Sequence, residues 1–141
     1  MLFVFLSTLG CGLDRQAIRR EEQEKSLLHQ SAQKYWEGVR WNIPKRAAHF
    51  YEDPLTRARK ESDLGLPYQR FVDIKVLHVE LGDKLEVPSR DAKSTRRHGT
   101  VYVRLEGFGK DNVLRVEEQK QLWYRNLNGW WITHTRTEPN K

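Results

Sequence analysis

Hydrophobic positions in the first third of the chain recur at helical spacing. Leu28, Ala32, Tyr35, Trp36 and Val39 stand at i, i+4, i+7, i+8 and i+11, which is one face of a helix. Asp14 can cap this helix, and its body runs to about Arg40. The lead-in, RQAIRREEQEKS, is mostly charged, with Glu21 and Lys25 at i, i+4 in the favourable orientation. It reads as a solvated face or a tether. Trp41-Asn42-Ile43-Pro44 breaks the helix. Pro44 suits the first turn of a short second helix with Ala47, Ala48 and Tyr51 inward. Asp53-Pro54 stops that helix, and Pro54 to Ser62 predicts a third. Gly65 and Pro67 then punctuate the chain.

From Tyr68 the period changes to alternation. Arg70 to Leu81 carries Val72, Ile74 and Val76, then Leu77, Val79 and Leu81. The parity switch between Val76 and Leu77 predicts a β-bulge or a strand buried on both faces. Gly82 to Gly99 is polar and reads as a loop, with a short edge strand at Lys84 to Val87. Thr100 to Phe108 alternates cleanly, with Val101, Val103 and Leu105 on one face. Gly109 to Asn112 turns the chain into a long strand, Val113 to Arg125. Asn128-Gly129 is a strong hairpin signal, and Trp130 to Arg136 returns antiparallel. Helices first and antiparallel strands after give an α+β class.

Composition limits the chemistry. The chain has 141 residues, the size of one domain, and its five Trp, five Tyr and five Phe argue for a true core. One cysteine excludes an internal disulfide and any multi-cysteine metal site. The position of that cysteine matters more. Met1 to Leu9 reads MLFVFLSTL, the most apolar stretch present and uncharged, ending at Gly10-Cys11. It is too short to span a bilayer but has the length of a signal-peptide apolar region.

Ser7, Thr8, Leu9 and Gly10 fill the four positions before Cys11. This resembles the lipobox of bacterial lipoproteins, where signal peptidase II cuts before a cysteine that then carries the lipid. Thr8 stands where that motif usually has Leu, and no Lys or Arg precedes the apolar run. A start codon upstream of Met1 accounts for both the short run and the missing charge. The other reading packs Phe3, Phe5, Leu6 and Leu9 as a structural segment, with Cys11 a small buried hydrophobe. The lipobox implies a lipid-anchored envelope protein on the periplasmic side. Gly12 after the cysteine favours the outer membrane if the host is Gram-negative.

A long helix carrying Tyr35-Trp36, a short helix reading Ala47-Ala48-His49-Phe50-Tyr51, and a terminal hairpin QLWYRNLNGWWITHTR follow in order. Together they resemble the NTF2-like (SnoaL-like, cystatin-like α+β cone) superfamily over about Asp14 to Arg136. Trp123, Gly129, Trp130 and Ile132 carry the hairpin match. The resemblance implies N-terminal helices packed in the concave face of a curved antiparallel sheet. The domain plan is a signal peptide at 1–10, the lipid-bearing Cys11 and charged lead-in at 11–24, the cone at 25–137 and a loose tail at 138–141.

Period-two geometry puts Gln121, Trp123, Arg125 and Leu127 on one face with Trp130, Ile132, His134 and Arg136. That face is expected to look into the cone. The other, with Leu122, Tyr124 and Trp131, is the candidate surface for a homodimer or an envelope partner. The expected pocket for a small hydrophobic ligand is Tyr35, Trp36, Tyr51, Trp123, Trp130 and His134. The catalytic candidates are His134, Asp73 and His78. Asp73 and His78 differ in parity, which counts against a dyad. A structural His near the strand end is the other reading of His134.

No two of the five His fall at ligand spacing, so no metal site is expected. No phosphate loop or nucleophile elbow is present, and no cofactor is expected. The formal charge is +6, with clusters at Lys45-Arg46, Arg57/Arg59/Lys60 and Lys93/Arg96/Arg97, but acids are interleaved throughout. Solubility and attraction to anionic headgroups explain this better than nucleic acid, which is not an expected partner. The function expected is non-enzymatic, a ligand- or partner-binding domain. The alternative is a SnoaL-like isomerase or dehydratase using His134, and a cone filled by Trp36, Trp123 and Trp130 would count against it.

Overall fold

The computed structural model describes residues 10–87 and 94–133. Its elements are α1 (Gly10–Arg40), α2 (Pro44–Ala48), α3 (Pro54–Ser62), β1 (Tyr68–Val87), β2 (Ser94–Gly109), β3 (Leu114–Asn126) and β4 (Gly129–Ile132). The strands pair antiparallel in the order β1-β2-β3-β4 and curl into a half-barrel, giving an α+β architecture.

The apolar stripe of α1 lies in the core as its spacing predicts. Leu28 and Ala32 are fully buried, and Tyr35, Trp36 and Val39 are each 3% exposed. Residues 14–23 of the same helix are exposed throughout, so its first half projects beyond the core. The helix stops in a Schellman motif. Asn42 takes a left-handed φ of 52°, its N–H donates to Val39 O at 3.1 Å, and Ile43 N–H donates to Gly38 O at 2.8 Å. Pro44 then opens α2, whose Ala47 and Ala48 are buried. Asp53 caps α3, accepting from Thr56 N–H at 2.8 Å.

On β2, Val101, Val103 and Leu105 are fully buried, alternating with Tyr102, Arg104 and Glu106. The register of β1 against β2 shifts between Val76 and His78, at the predicted parity switch, and also between Phe71 and Asp73. These bulges let Ile74, Val76, Val79 and Leu81 all pack on the core without sharing one parity. The short strand expected at Lys84 to Val87 is present as the end of β1, and Ser94 to Gly99, expected as loop, is the start of β2. Backbone pairing continues from Lys84↔Arg97 to Val87↔Ser94. Residues there are polar at both parities, so the alternation that marks a half-buried strand is missing from the sequence.

The final hairpin turns one step earlier than expected. Asn126 pairs with Gly129, so Leu127 and Asn128 form the loop, and Gly129 takes the left-handed φ of 133°. Relative to an Asn128-Gly129 turn the register moves by two residues. A two-residue slip preserves faces, so Trp123, Trp130 and Ile132 still point inward, at 0%, 5% and 6% exposure. Asn126 Oδ1 holds the turn by accepting from Asn128 N–H at 2.8 Å. Ile132 N–H donates to Phe50 O at 2.9 Å, so the segment after α2 covers part of the β4 edge.

Two details join α1 to the sheet. A Cβ at Gly99 would stand 2.4 Å from Leu28 Cδ2 and 3.2 Å from Trp130 Cζ3, so the absent side chain is the space those two occupy. Arg97 and Arg125 are direct cross-strand partners, an unfavourable like-charge pair on their own. Glu24 of α1 lies between them, 3.6 Å from Arg97 Nε and 3.4 Å from Arg125 Nη1, and Glu21 adds a contact to Arg97 at 3.4 Å.

Gly99→Ala is expected to lower unfolding free energy by about 1–3 kcal/mol, the cost of overpacking a filled site. Urea denaturation with unchanged stability would show that Leu28 can move aside. Glu24→Gln is expected to cost about 1 kcal/mol, because both arginines lose their shared counter-charge. The loss should shrink when salt is raised, since the three side chains are partly solvated. Equal destabilisation at low and high salt would contradict an electrostatic clamp.

Candidate functional site

A cavity of about 300 Å³ opens where α1, the segment 63–67, β3 and the end of β4 converge. Its inner wall is Tyr35 and Trp36 of α1 and Tyr51, which follows α2. Gln119 and Gln121 of β3 and Thr133 beyond β4 supply amide and hydroxyl groups. Leu64, Leu66 and Ile132 form an apolar shelf, and Lys60 of α3 and Lys120 of β3 add ammonium groups. The volume is at the small end of the ordinary range for ligand pockets.

The helical period places Tyr35 and Trp36 side by side on α1, with their rings edge to face at 5.0 Å. Tyr51 reaches the same point from the other side, 6.4 Å from the Tyr35 ring. Burial pushes the Tyr35 hydroxyl well above the ordinary tyrosine range, and the Tyr51 phenol beside it adds to the rise. Gln121 opposes it from the sheet, while its Oε1 accepts from Trp123 Nε1 at 3.0 Å. Burial also raises Tyr51. Both phenols therefore keep their protons into alkaline solution. Lys60 Nζ donates to Leu64 O at 3.3 Å and stands 5.6 Å from the Tyr51 ring centre. Trp36 Nε1 and Thr133 Oγ1 are buried and have no hydrogen-bond partner among the described residues. Orphaned polar atoms of this kind are uncommon and call for an explanation.

The expected pocket residues divide. Tyr35, Trp36 and Tyr51 line the cavity together. Trp123 and Trp130 do not; they are core residues, Trp123 packed edge to face on Tyr35 at 6.2 Å and on Phe50 at 5.7 Å, Trp130 over Gly99. With Trp36 they belong to the one buried core cluster. His134 lies outside the described residues. Asp73 and His78 meet neither each other nor the cavity. Asp73 is exposed and pairs with Arg40 at 3.5 Å, and His78 is exposed and stacks on Tyr102 at 4.2 Å. The β1 bulges override the parity on which their opposite facing was argued.

Sequence reasoning missed Lys60, Leu64, Leu66, Gln119 and Thr133. Gln121 was legible as a neighbour of Trp123 on the inward face. Gln119 shares that parity and was equally open to reading; Lys60, Leu64 and Leu66 come from α3 and the connection after it, whose docking no periodicity encodes, and Thr133 enters where β4 ends. Cys11 lies in the first turn of α1.

The proposed partner face is partly satisfied within the chain. Tyr124 hydroxyl donates to Glu52, Asn126 Nδ2 donates to Glu52 Oε1 at 3.1 Å, and Trp131 Nε1 donates to Asn126 Oδ1 at 2.8 Å. The Arg96 guanidinium stands 5.0 Å from the Tyr124 ring centre. Among the described residues no group of three or more His, Cys, Asp or Glu is placed to hold a metal ion, and no helix is long and apolar enough to cross a membrane. No protein-family model matches the chain, and no curated protein or solved structure matches it significantly.

All five tyrosines are displaced upward. Burial and the Glu117 carboxylate push Tyr68 up to about 12, and burial with Glu52 raises Tyr124. An acid that holds its proton more tightly when folded stabilises the fold fully below its unfolded value. That stability declines as pH rises past the ordinary 10.0 toward the folded values. Near-ultraviolet phenolate absorbance should therefore lag behind that of free tyrosine and arrive with unfolding. A titration centred on the free-tyrosine value, with the fold intact, would refute this.

Proposed function

We propose that the chain is a lipid-anchored cell-envelope protein whose α+β cone belongs to the NTF2-like type and serves as a binding module without catalysis. The lining of the cavity carries this reading. Its phenols are held protonated, its amides and hydroxyl are donors and acceptors, and its charged groups are ammonium. Such a set holds and orients a ligand. Acid–base turnover needs a group poised near the working pH, and tyrosines raised above 10.0 are far from it.

The long helix against a curled antiparallel sheet supports the cone assignment, with Trp123, Gly129, Trp130 and Ile132 at the terminal hairpin. The anchor rests on the apolar Met1 to Leu9 ending at Gly10-Cys11. The exposed residues 14–23 of α1 fit a spacer, roughly 15 Å at about 1.5 Å per residue, between a surface and the domain. A partner binds through the sheet face carrying Tyr124 and Trp131, or a small ligand enters the cavity.

The anchor is checked by radiolabelled palmitate in the native host. Wild-type chain should take up label and sediment with membranes, and Cys11→Ser should lose both. Unchanged labelling in Cys11→Ser overturns the anchor. Turnover of small carbonyl or hydroxy-acid substrates by the purified chain overturns the non-catalytic reading.

A further inference from the structure

The cavity has a charge bias that its aromatic wall does not explain. Lys60 and Lys120 line it, and among the described residues no carboxylate does. Lys60 is half-buried and spends one of its three donors on Leu64 O. On β3, Glu117 accepts from Gln119 Nε2 at 2.7 Å, and neither Glu117 nor Glu118 lines the cavity. Trp36 and Thr133 line the cavity, and among the described residues the Trp36 indole N–H and the Thr133 hydroxyl, both buried, have no hydrogen-bond partner. Leu64, Leu66 and Ile132 give the same lining its apolar part.

We propose that this cavity takes a small organic carboxylate, its anionic end toward Lys60, Thr133 and the paired Tyr35 and Tyr51 hydroxyls, its apolar end on Leu64, Leu66 and Ile132. The inference rests on the reading of the domain as a binding module and adds the chemical class of its ligand. A carboxylate has two oxygens and accepts only, which matches a lining rich in N–H and O–H groups. Charge-assisted hydrogen bonds are also stronger than neutral ones, which separates an acid from its amide of the same shape. At about 300 Å³ the cavity suits a short or single-ring molecule better than a long chain.

Benzoate and hexanoate, each against its neutral amide, test the class by NMR titration of the isotope-labelled full chain in Tris buffer. Both acids should shift the Trp36 indole and the Gln121 and Thr133 resonances saturably. They should bind at least tenfold more tightly than benzamide and hexanamide. Lys60→Met should erase that preference, and Lys60→Arg should keep it. Added sodium chloride should narrow it in the wild type, a readout that needs no variant. If the amides bind as tightly as the acids, the carboxylate proposal falls while the cavity stands as a binding site. If no probe moves these resonances, the proposal and the small-ligand reading of the cavity both fall. The palmitate experiment judges the anchor independently of either result.

Discussion

One stripe of one helix organises this protein. Leu28, Ala32, Tyr35, Trp36 and Val39 present a continuous apolar ridge, and the sheet curls to receive it. Val101, Val103 and Leu105 meet the ridge at the centre of the sheet, and Trp123 and Trp130 meet it from the terminal hairpin. A four-stranded sheet has one face to bury, and this helix supplies the partner layer. Gly99 shows how tight the fit is, because the absence of one side chain there admits both Leu28 and Trp130. The β1 bulges serve the same end by turning extra apolar residues toward the ridge.

The cavity opens beside this packing. β4 runs over Gly129–Ile132 against the far end of β3, which starts at Leu114. Gln119 and Gln121 of β3 line the opening together with Tyr35, Tyr51 and Lys60. The aromatics that seal the core thus become, one turn further along, the wall of an opening. The hydroxyls and amides sit at that boundary because they can face both a packed interior and a space that admits a polar guest.

Much of the architecture could be read from periodicity alone. The α1 stripe, the inward alanines of α2, the clean alternation of β2 and the bulge near Val76 all follow from the spacing of apolar positions, and the start of α3 follows from Asp53-Pro54. The long β1–β2 arm did not, because its polar residues occupy both parities and only backbone pairing defines it. The hairpin turn was misplaced by its Asn-Gly signal, yet its faces survived because the slip was by two. The cavity was half legible. Tyr35, Trp36 and Tyr51 announce themselves as inward aromatics, but Lys60 and Thr133 reach the site through the docking of α3 and the end of β4. Burial also does not distinguish a residue that lines a space from one that fills it, which is why Trp123 and Trp130 joined the expected pocket.

The first half of α1 has no joint between it and the ridge. The same unbroken helix runs from the exposed residues 14–23 into the buried Leu28 to Val39 segment, and Glu24 fastens it to Arg97 and Arg125 at the point of entry. Whatever grips the free end therefore grips a rigid lever. Torque or tension applied there passes directly into the core and loads the Glu24 ion pairs in shear before any strand is pulled. The heading of the cavity mouth is then set by the helix axis, as a vane is set by its shaft.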